Sequence, residues 1–558
     1  MFWLYYWLFL PKLKTSTMRV TLSLFLLLIS FSIDLSAQAT ADFEFSNLRK
    51  QRRSELRNML PLPSGESLLF KSNDSRFITR LFGSSRMNIE LLDVDLNSRK
   101  TLKTKIQMNR VWGGKDKVYR FAQVLNDKVY VFYSLQKNRT AFSLYAVELD
   151  TETMSLGRKS ILVGDFDKKD NIDFGRVDMD ISRNMERIVL YFRETVKEKR
   201  RTQHVEMVVL DKDLNRIWQR SVLKSAEKKR SVYMDVAVNN AGEAFLLERT
   251  QIGNLISLTG NTLEFDYYIQ KFDAEGEKGD RVEIKIGDKE ISNLDLSFNF
   301  NEELLALGFY TDRSLSTSTA GGTVYYRYDT KTMRAKASKL DPFEIDFVTF
   351  GENNGRANRM KNRAARGRIS EMNIQFRDVV YRSDGGAIMI GEQYFVTRNT
   401  DENGVTTSYT HSYNDIILIN IDERGRVVWG EKVLKRQNIN SSQPDLNIAF
   451  GQSTFASFAY SVNKDKINLF FNDHVNNTSL KEKRREVRQT PSNLRSNFCK
   501  VSVDQRGRME KEVLFYSRDQ NVVLYPAFAR AYDFSRTDLL FFGRFRNKER
   551  FARFSPGS

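Results

Sequence analysis

A hairpin signature returns along this chain and constrains its fold more than any other feature. Its clearest copy is residues 415–434, DIILINIDERGRVVWGEKVL. Ile416, Leu418 and Ile421 are apolar and β-prone, and Val427, Val428 and Trp429 open the return strand. The turn between them runs from Asp422 to Gly425. Asp bonds its own backbone two residues on, and Gly tolerates positive φ. The turn aspartate recurs at Asp95, Asp150, Asp211, Asp273, Asp329, Asp422 and Asp504. A second, more apolar hairpin precedes each copy. Its strongly apolar strands are residues 68–70, 129–133, 188–192, 244–247, 304–309, 387–390, 467–471 and 539–542. Short runs bounded by Gly, Asn and Asp are strand signals, and no long stretch shows helical periodicity.

Each repeat therefore reads as four antiparallel strands, a to d, with an apolar inner pair and a wetter outer pair. That gradient suits a propeller blade, whose inner strands are walled in by neighbours. Radial closure also removes the exposed edges of a long all-β chain. The expected fold is an all-β β-propeller of eight blades, with seven as the alternative if one terminal unit is a flap. The last repeat lacks a strand d after Phe554, and residues 42–46, DFEFS, are expected to fill that edge.

The chain resembles exported bacterial β-propellers built of degenerate repeats. The Asp211…Trp218 and Asp422…Trp429 units are also similar to quinoprotein-type repeats, a family that includes eight-bladed dehydrogenases and an outer-membrane assembly scaffold. That family places a Trp in most blades. Here only Trp112, Trp218 and Trp429 lie outside the leader, so no cofactor is expected.

The leader is residues 1–39. Arg19, the apolar run 20–33 and the small residues before position 39 are the parts of a secretory signal peptide, with Met18 as the expected true start. The run is short for a membrane span. Residues 40–558 then form one exported propeller domain with no transmembrane span, periplasmic or extracellular and possibly outer-membrane associated. Cys499 is the only cysteine, so no internal disulfide can form and no Cys-rich metal site exists.

The net charge of +18 favours anionic partners. Export makes nucleic acid a poor candidate, which leaves an acidic protein, a glycan or a lipid headgroup. In a propeller the b–c and d–a connections share one face. This chain's long segments all fall in that class, chief among them 340–373, 394–414 and 473–497. Three basic runs lie there: KEKRR at 197–201, RANRMKNRAARGR at 356–368 and KEKRREVR at 481–488. The candidate contacts are Arg200, Arg201, Arg359, Lys361, Arg363, Arg366, Lys483, Arg484 and Arg485, expected as solvent-facing cations. The 356–368 run reads as a solvated loop or as an arm that orders on a partner.

His204, His411 and His474 fall in or beside the same loops, without the local spacing of a metal site. No nucleophile elbow, phosphate loop or dinucleotide fingerprint is present. Catalytic carboxylates cannot be picked from 70 acidic residues. The sequence thus points to a non-catalytic exported scaffold that binds an acidic partner through its basic loop face. The alternative is a propeller hydrolase or lyase acting on polysaccharide or peptide at the axial channel.

Overall fold

The computed structural model describes residues 42–50, 55–72, 86–108, 117–138, 141–167, 177–196, 202–223, 231–257, 260–312, 319–366, 372–442, 455–464 and 466–556. The expected leader, Arg200 and Arg201 lie outside them.

The described chain is all-β, a succession of mostly four-stranded antiparallel units. Units 1 to 7 span residues 55–107, 117–167, 177–223, 231–284, 289–342, 375–433 and 459–516. The first two units touch edge to edge at one parallel bridge, Gln107 to Val118. In the last unit strand a is split into Val523–Leu524 and Arg530–Ala531, and strands b and c are Leu539–Phe545 and Lys548–Phe554. Phe43–Phe45, from the other end of the chain, adds the fourth strand. Phe43 pairs with Phe554 and Phe45 with Ala552, at the edge expected for residues 42–46.

Burial follows the apolar gradient of the repeats. Strand b of unit 1, Ser67–Ser72, is buried at every residue, whereas strand d, Ser98–Gln107, is mostly exposed. Eight buried hydrophobic clusters join the units, and each is built from two of them. Seven lie between units successive in the chain. The eighth packs Leu56, Met59 and Leu69 of the first unit against Phe528, Leu540 and Phe551 of the last.

The c–d turns are closed by their aspartates. Asp422 Oδ1 accepts from the backbone N–H of Arg424 and of Arg426, both at 2.9 Å. Asp211, Asp273 and Asp504 make the same pair of bonds. In unit 1 the residue in this role is Asp93, which accepts from Asn97 N–H at 2.8 Å. Asp95, the residue singled out from sequence, is exposed within the turn. The pattern D-x-D offers two aspartates, and the hydrogen-bond ring selects the first.

Aromatic side chains latch one unit to the next at these turns. Trp218 of unit 3 donates from Nε1 to Gly242 O at 3.2 Å and lies against Gly276 of unit 4. Trp429 of unit 6 donates to Gln505 O at 2.9 Å and lies against Gly507. In unit 5 a tyrosine takes this place: Tyr325 donates to Glu423 O at 2.8 Å and lies against Gly425. Gly276 has φ +79, and a Cβ there would sit 2.7 Å from the Trp218 ring. Gly276→Ala is therefore expected to cost about 2–3 kcal/mol, from backbone strain plus overpacking. Gly404, at φ +77 with open space around it, supplies the control. Gly404→Ala should cost only the backbone part, about 1 kcal/mol. Urea unfolding of both variants separates the two contributions, and equal losses would refute the latch.

Two expectations about loops are corrected. The segment 394–414 is largely an extension of its own b and c strands. In unit 6 these strands are Ala387–Thr400 and Thr406–Ile421, a long arm that Gln437–Ser441 extends by a further strand. Thr, Tyr and Val along the arm suit a pleated backbone even where it is half exposed. In the 340–373 crossover, two helices form: α1, Ile345–Thr349, and α2, Asn354–Ala364.

Candidate functional site

Helix α2 carries residues 356–364 of the second basic run, so that part is ordered as a helix between units 5 and 6. Asn353 caps it, accepting from Arg356 N–H at 2.9 Å. Arg, Lys, Met and Ala are good helix formers, and a cap of this kind contributes about 1 kcal/mol. Met360 packs against the hydrophobic cluster between units 5 and 6, while Arg359, Lys361, Arg363 and Arg366 are exposed. Lys361 pairs with the exposed Asp346 of α1 at 2.8 Å.

The third run is brought against this helix. Gly351, just before α2, forms a parallel bridge with Lys483, and Arg484 N–H donates to Gly351 O at 3.0 Å. Lys483 and Arg485 are exposed, as expected. Arg484 is not solvent-facing. Its fork donates to Asp415 Oδ1 at 3.1 Å and Oδ2 at 2.5 Å, and to Gln393 Oε1 at 3.1 Å. Asp415 is fully buried; burial pushes its carboxyl up, and the Arg484 guanidinium opposes that rise. Arg484 is thus a structural tie that seats its neighbours. The loop carrying it is held by the buried Asp473, which accepts from Asn477 Nδ2 and from Lys511 Nζ, both at 2.7 Å. Arg200 and Arg201 lie outside the described residues, so the first run is not placed.

Between α2, the 483–485 segment and the arm lies a cavity of about 530 Å³. Arg436, Lys483 and Arg485 line it together with Phe395, Ser412, Asn414 and Asn438.

The three histidines do not converge. His204 Nε2 hydrogen-bonds Ser221 Oγ at 2.7 Å, and His411 Nδ1 hydrogen-bonds the Tyr394 hydroxyl at 2.9 Å. His474 Nδ1 accepts from Asn476 N–H at 3.1 Å. Among the described residues no group of three or more His, Cys, Asp or Glu could hold a metal ion.

A second constellation lies on the innermost strands. Strand a of units 3 to 6 ends in the tetrapeptides DMDI, DVAV, DLSF and DVVY, placing Asp178, Asp235, Asp295 and Asp378 at one register position. In units 4 and 6 a β-bulge immediately precedes the aspartate, a device that re-aims side chains. These strand ends touch across non-consecutive units. Arg183 of unit 3 donates to Phe298 O of unit 5 at 2.6 Å and lies 4.8 Å over the Tyr381 ring of unit 6. Arg536 of unit 8 pairs with Asp378 of unit 6 at 2.8 Å. Arg193 pairs with Asp178 at 2.9 Å.

The carboxyls here are pushed toward the neutral form. Burial, reinforced by the Asp235 charge, raises Asp180 to about 7. Burial raises Asp235 despite N–H bonds from Leu296 and Val236. Asp295 is raised well above the usual range by burial and by the Asp235 carboxylate, to which it is hydrogen-bonded. Two interacting carboxyls resist double ionisation, and burial holds the pair toward its protonated form. Of the register set, Asp378 lines a cavity of about 530 Å³, together with Arg377, Tyr460, Arg530 and Arg536. Sequence reading missed this set because acids occur all along the chain. The usable signal was positional: an Asp three residues before the end of strand a in four consecutive repeats.

No family model and no curated protein sequence matches the chain. Solved structures similar to it include the β-propeller domain of the Trilobed protease from Pyrococcus furiosus, at 10% identity, TM-score 0.34, and covering 86% of this chain and 100% of that one. A polysaccharide lyase is similar at 10% identity and TM-score 0.35, over 80% of this chain and 91% of that one. The α-L-arabinanase of Penicillium chrysogenum is similar at 11% identity and TM-score 0.28, over 69% and 95%.

Proposed function

We propose that the chain is an exported scaffold, closed into an eight-bladed ring, that captures an acidic macromolecule on its basic loop face. The ring reading is supported by the hydrophobic cluster that joins first unit to last and by the arginines that reach between non-consecutive units at the centre. The observation that carries the function is the bridge from Gly351 to Lys483. It gathers two basic segments more than a hundred residues apart into one cationic surface, although each alone reads as a solvated loop. Exposed guanidinium and ammonium groups attract anions over roughly a Debye length, about 10 Å at 0.1 M salt, so capture weakens as salt rises. No helix among the described residues is long and apolar enough to cross a membrane.

The test is binding to an anionic polysaccharide, a polyglutamate and anionic-lipid vesicles at two salt concentrations. Replacing Arg359, Lys361, Arg363 and Arg366 with Gln should weaken binding to the true partner class about tenfold or more, or ~1.4 kcal/mol. Unchanged affinity for all three probes sinks the reading.

The second reading, a hydrolase or lyase acting at the axial channel, is favoured by one specific observation. Asp235 and Asp295 are interacting buried carboxyls, both pushed toward the neutral form. Such a pair is what general acid and base steps require.

A further inference from the structure

We propose that the cavity between α2 and the 483–485 segment is a subsite for the carboxylated sugar ring of an acidic glycan. This rests on the basic-face reading and narrows its partner class. Among the described residues, the lining cations Arg436, Lys483 and Arg485 have no carboxylate partner. The one acid in the lining, Glu352, is already balanced by Arg356 at 3.5 Å and Arg484 at 4.0 Å. The start of α2 adds the positive end of a helix dipole. The cavity therefore carries excess positive charge at a fixed place.

Charge alone would suit a bare phosphate, but two further features do not. Asn414 lines the cavity, is 9% exposed, and its Oδ1 accepts no hydrogen bond. A buried acceptor left unpaired costs about 1–3 kcal/mol, and a ligand hydroxyl would satisfy it. A phosphate monoester dianion has no donor to offer, and inorganic phosphate has a P–OH but no apolar face. Phe395 is 36% exposed beside this polar set and presents an apolar wall. Ser412 and Asn438 add further hydroxyl and amide groups. Anion, hydroxyl donor and apolar ring face together describe a sugar acid. The volume of about 530 Å³ lies within the ordinary range for small-molecule sites.

Calorimetry with a galacturonate trisaccharide tests this, with a neutral trisaccharide, inorganic phosphate and a pentaglutamate peptide as comparators. The acidic trisaccharide should bind, and the neutral one should bind at least about tenfold more weakly. Arg436→Gln/Arg485→Gln and Asn414→Leu should each lower affinity about tenfold. The double variant alters exposed residues only, so it answers the question even if Asn414→Leu does not fold. Binding of phosphate or pentaglutamate at equal affinity overturns the proposal, as does trisaccharide binding that ignores both variants. The two readings fail separately. If anionic polymer still binds through Arg359 and Arg363 while no trisaccharide binds, the subsite is wrong and the basic face stands.

Discussion

Lys435→Met is expected to destabilise the fold by about 3–5 kcal/mol, because it leaves a buried carboxylate short of its cation. Lys435 and Glu392 are both fully buried, and Nζ lies 2.7 Å from Glu392 Oε1. The ammonium also donates to Gln437 Oε1 at 2.8 Å and to Tyr413 O at 3.2 Å. Burial pushes Lys435 down and Glu392 up, and each charge holds the other against that push. Arg377 and Ser457 Oγ complete the shell around Glu392. Methionine would match the stem of the lysine and nothing else. The network runs outward from there: Gln437 Nε2 donates to Asn472 O at 2.8 Å, and Asn472 Nδ2 donates to Leu524 O at 2.7 Å. Units 6, 7 and 8 are thus tied through one polar chain, directly beneath the segment that presents Arg436. Urea unfolding measures the loss. A cost below about 1 kcal/mol would show that the pair is not dry, and Glu392→Gln combined with Lys435→Met should recover part of the loss.

What the sequence made legible was the set of interactions that repeat. Each of the eight apolar b strands is a b strand in the structure, because a run such as residues 467–471 has no solvated face to offer. The closing strand was legible for the same reason, since Phe43 and Phe45 match an edge otherwise left open at Phe554 and Ala552. Strand length was not legible. The arm of unit 6 continues through polar Thr and Ser residues well beyond the apolar run, where pairing rather than burial sustains the strand. Helix α2 was hidden because a single apolar residue, Met360, anchors it, which leaves no period to detect. Of the candidate cations among the described residues, only Arg484 was misread in kind. Its carboxylate partner, Asp415, lies 69 residues away in sequence, and no local pattern announces that pair.

Stability is expected to fall as pH rises from about 5 to 8, and Asp295→Asn is expected to remove part of that fall. Asp180, Asp235 and Asp295 all hold their protons more tightly folded than unfolded. Between the unfolded value and the raised folded value the native state binds more protons, so unfolding becomes easier as pH increases. For Asp180 that window runs from the ordinary 3.8 to about 7. The groups facing this set are Asp178, Asp378, Arg183, Arg193 and Arg536, with Tyr191 and Tyr381. Carboxyls held low act elsewhere on the scale. Burial pushes Glu90 up, but Lys71 and Arg49 hold it at about 2, so its contribution is lost only in strong acid. Each unit of pKa shift corresponds to about 1.4 kcal/mol, so the cluster costs several kcal/mol at pH 8. Asn in place of Asp295 keeps the hydrogen bond to Asp235 without the second ionisation, and should raise stability at pH 8 by about 2 kcal/mol. Unfolding curves from pH 5 to 8 decide this, and a stability that is flat or rising across the range overturns the protonation states assigned here. Apolar residues at those four register positions would pack there at no such cost. Carboxyls that weaken the fold where the protein has to work are the mark of a site with a task. That is the physical reason to screen this carboxyl cluster for activity alongside the basic face.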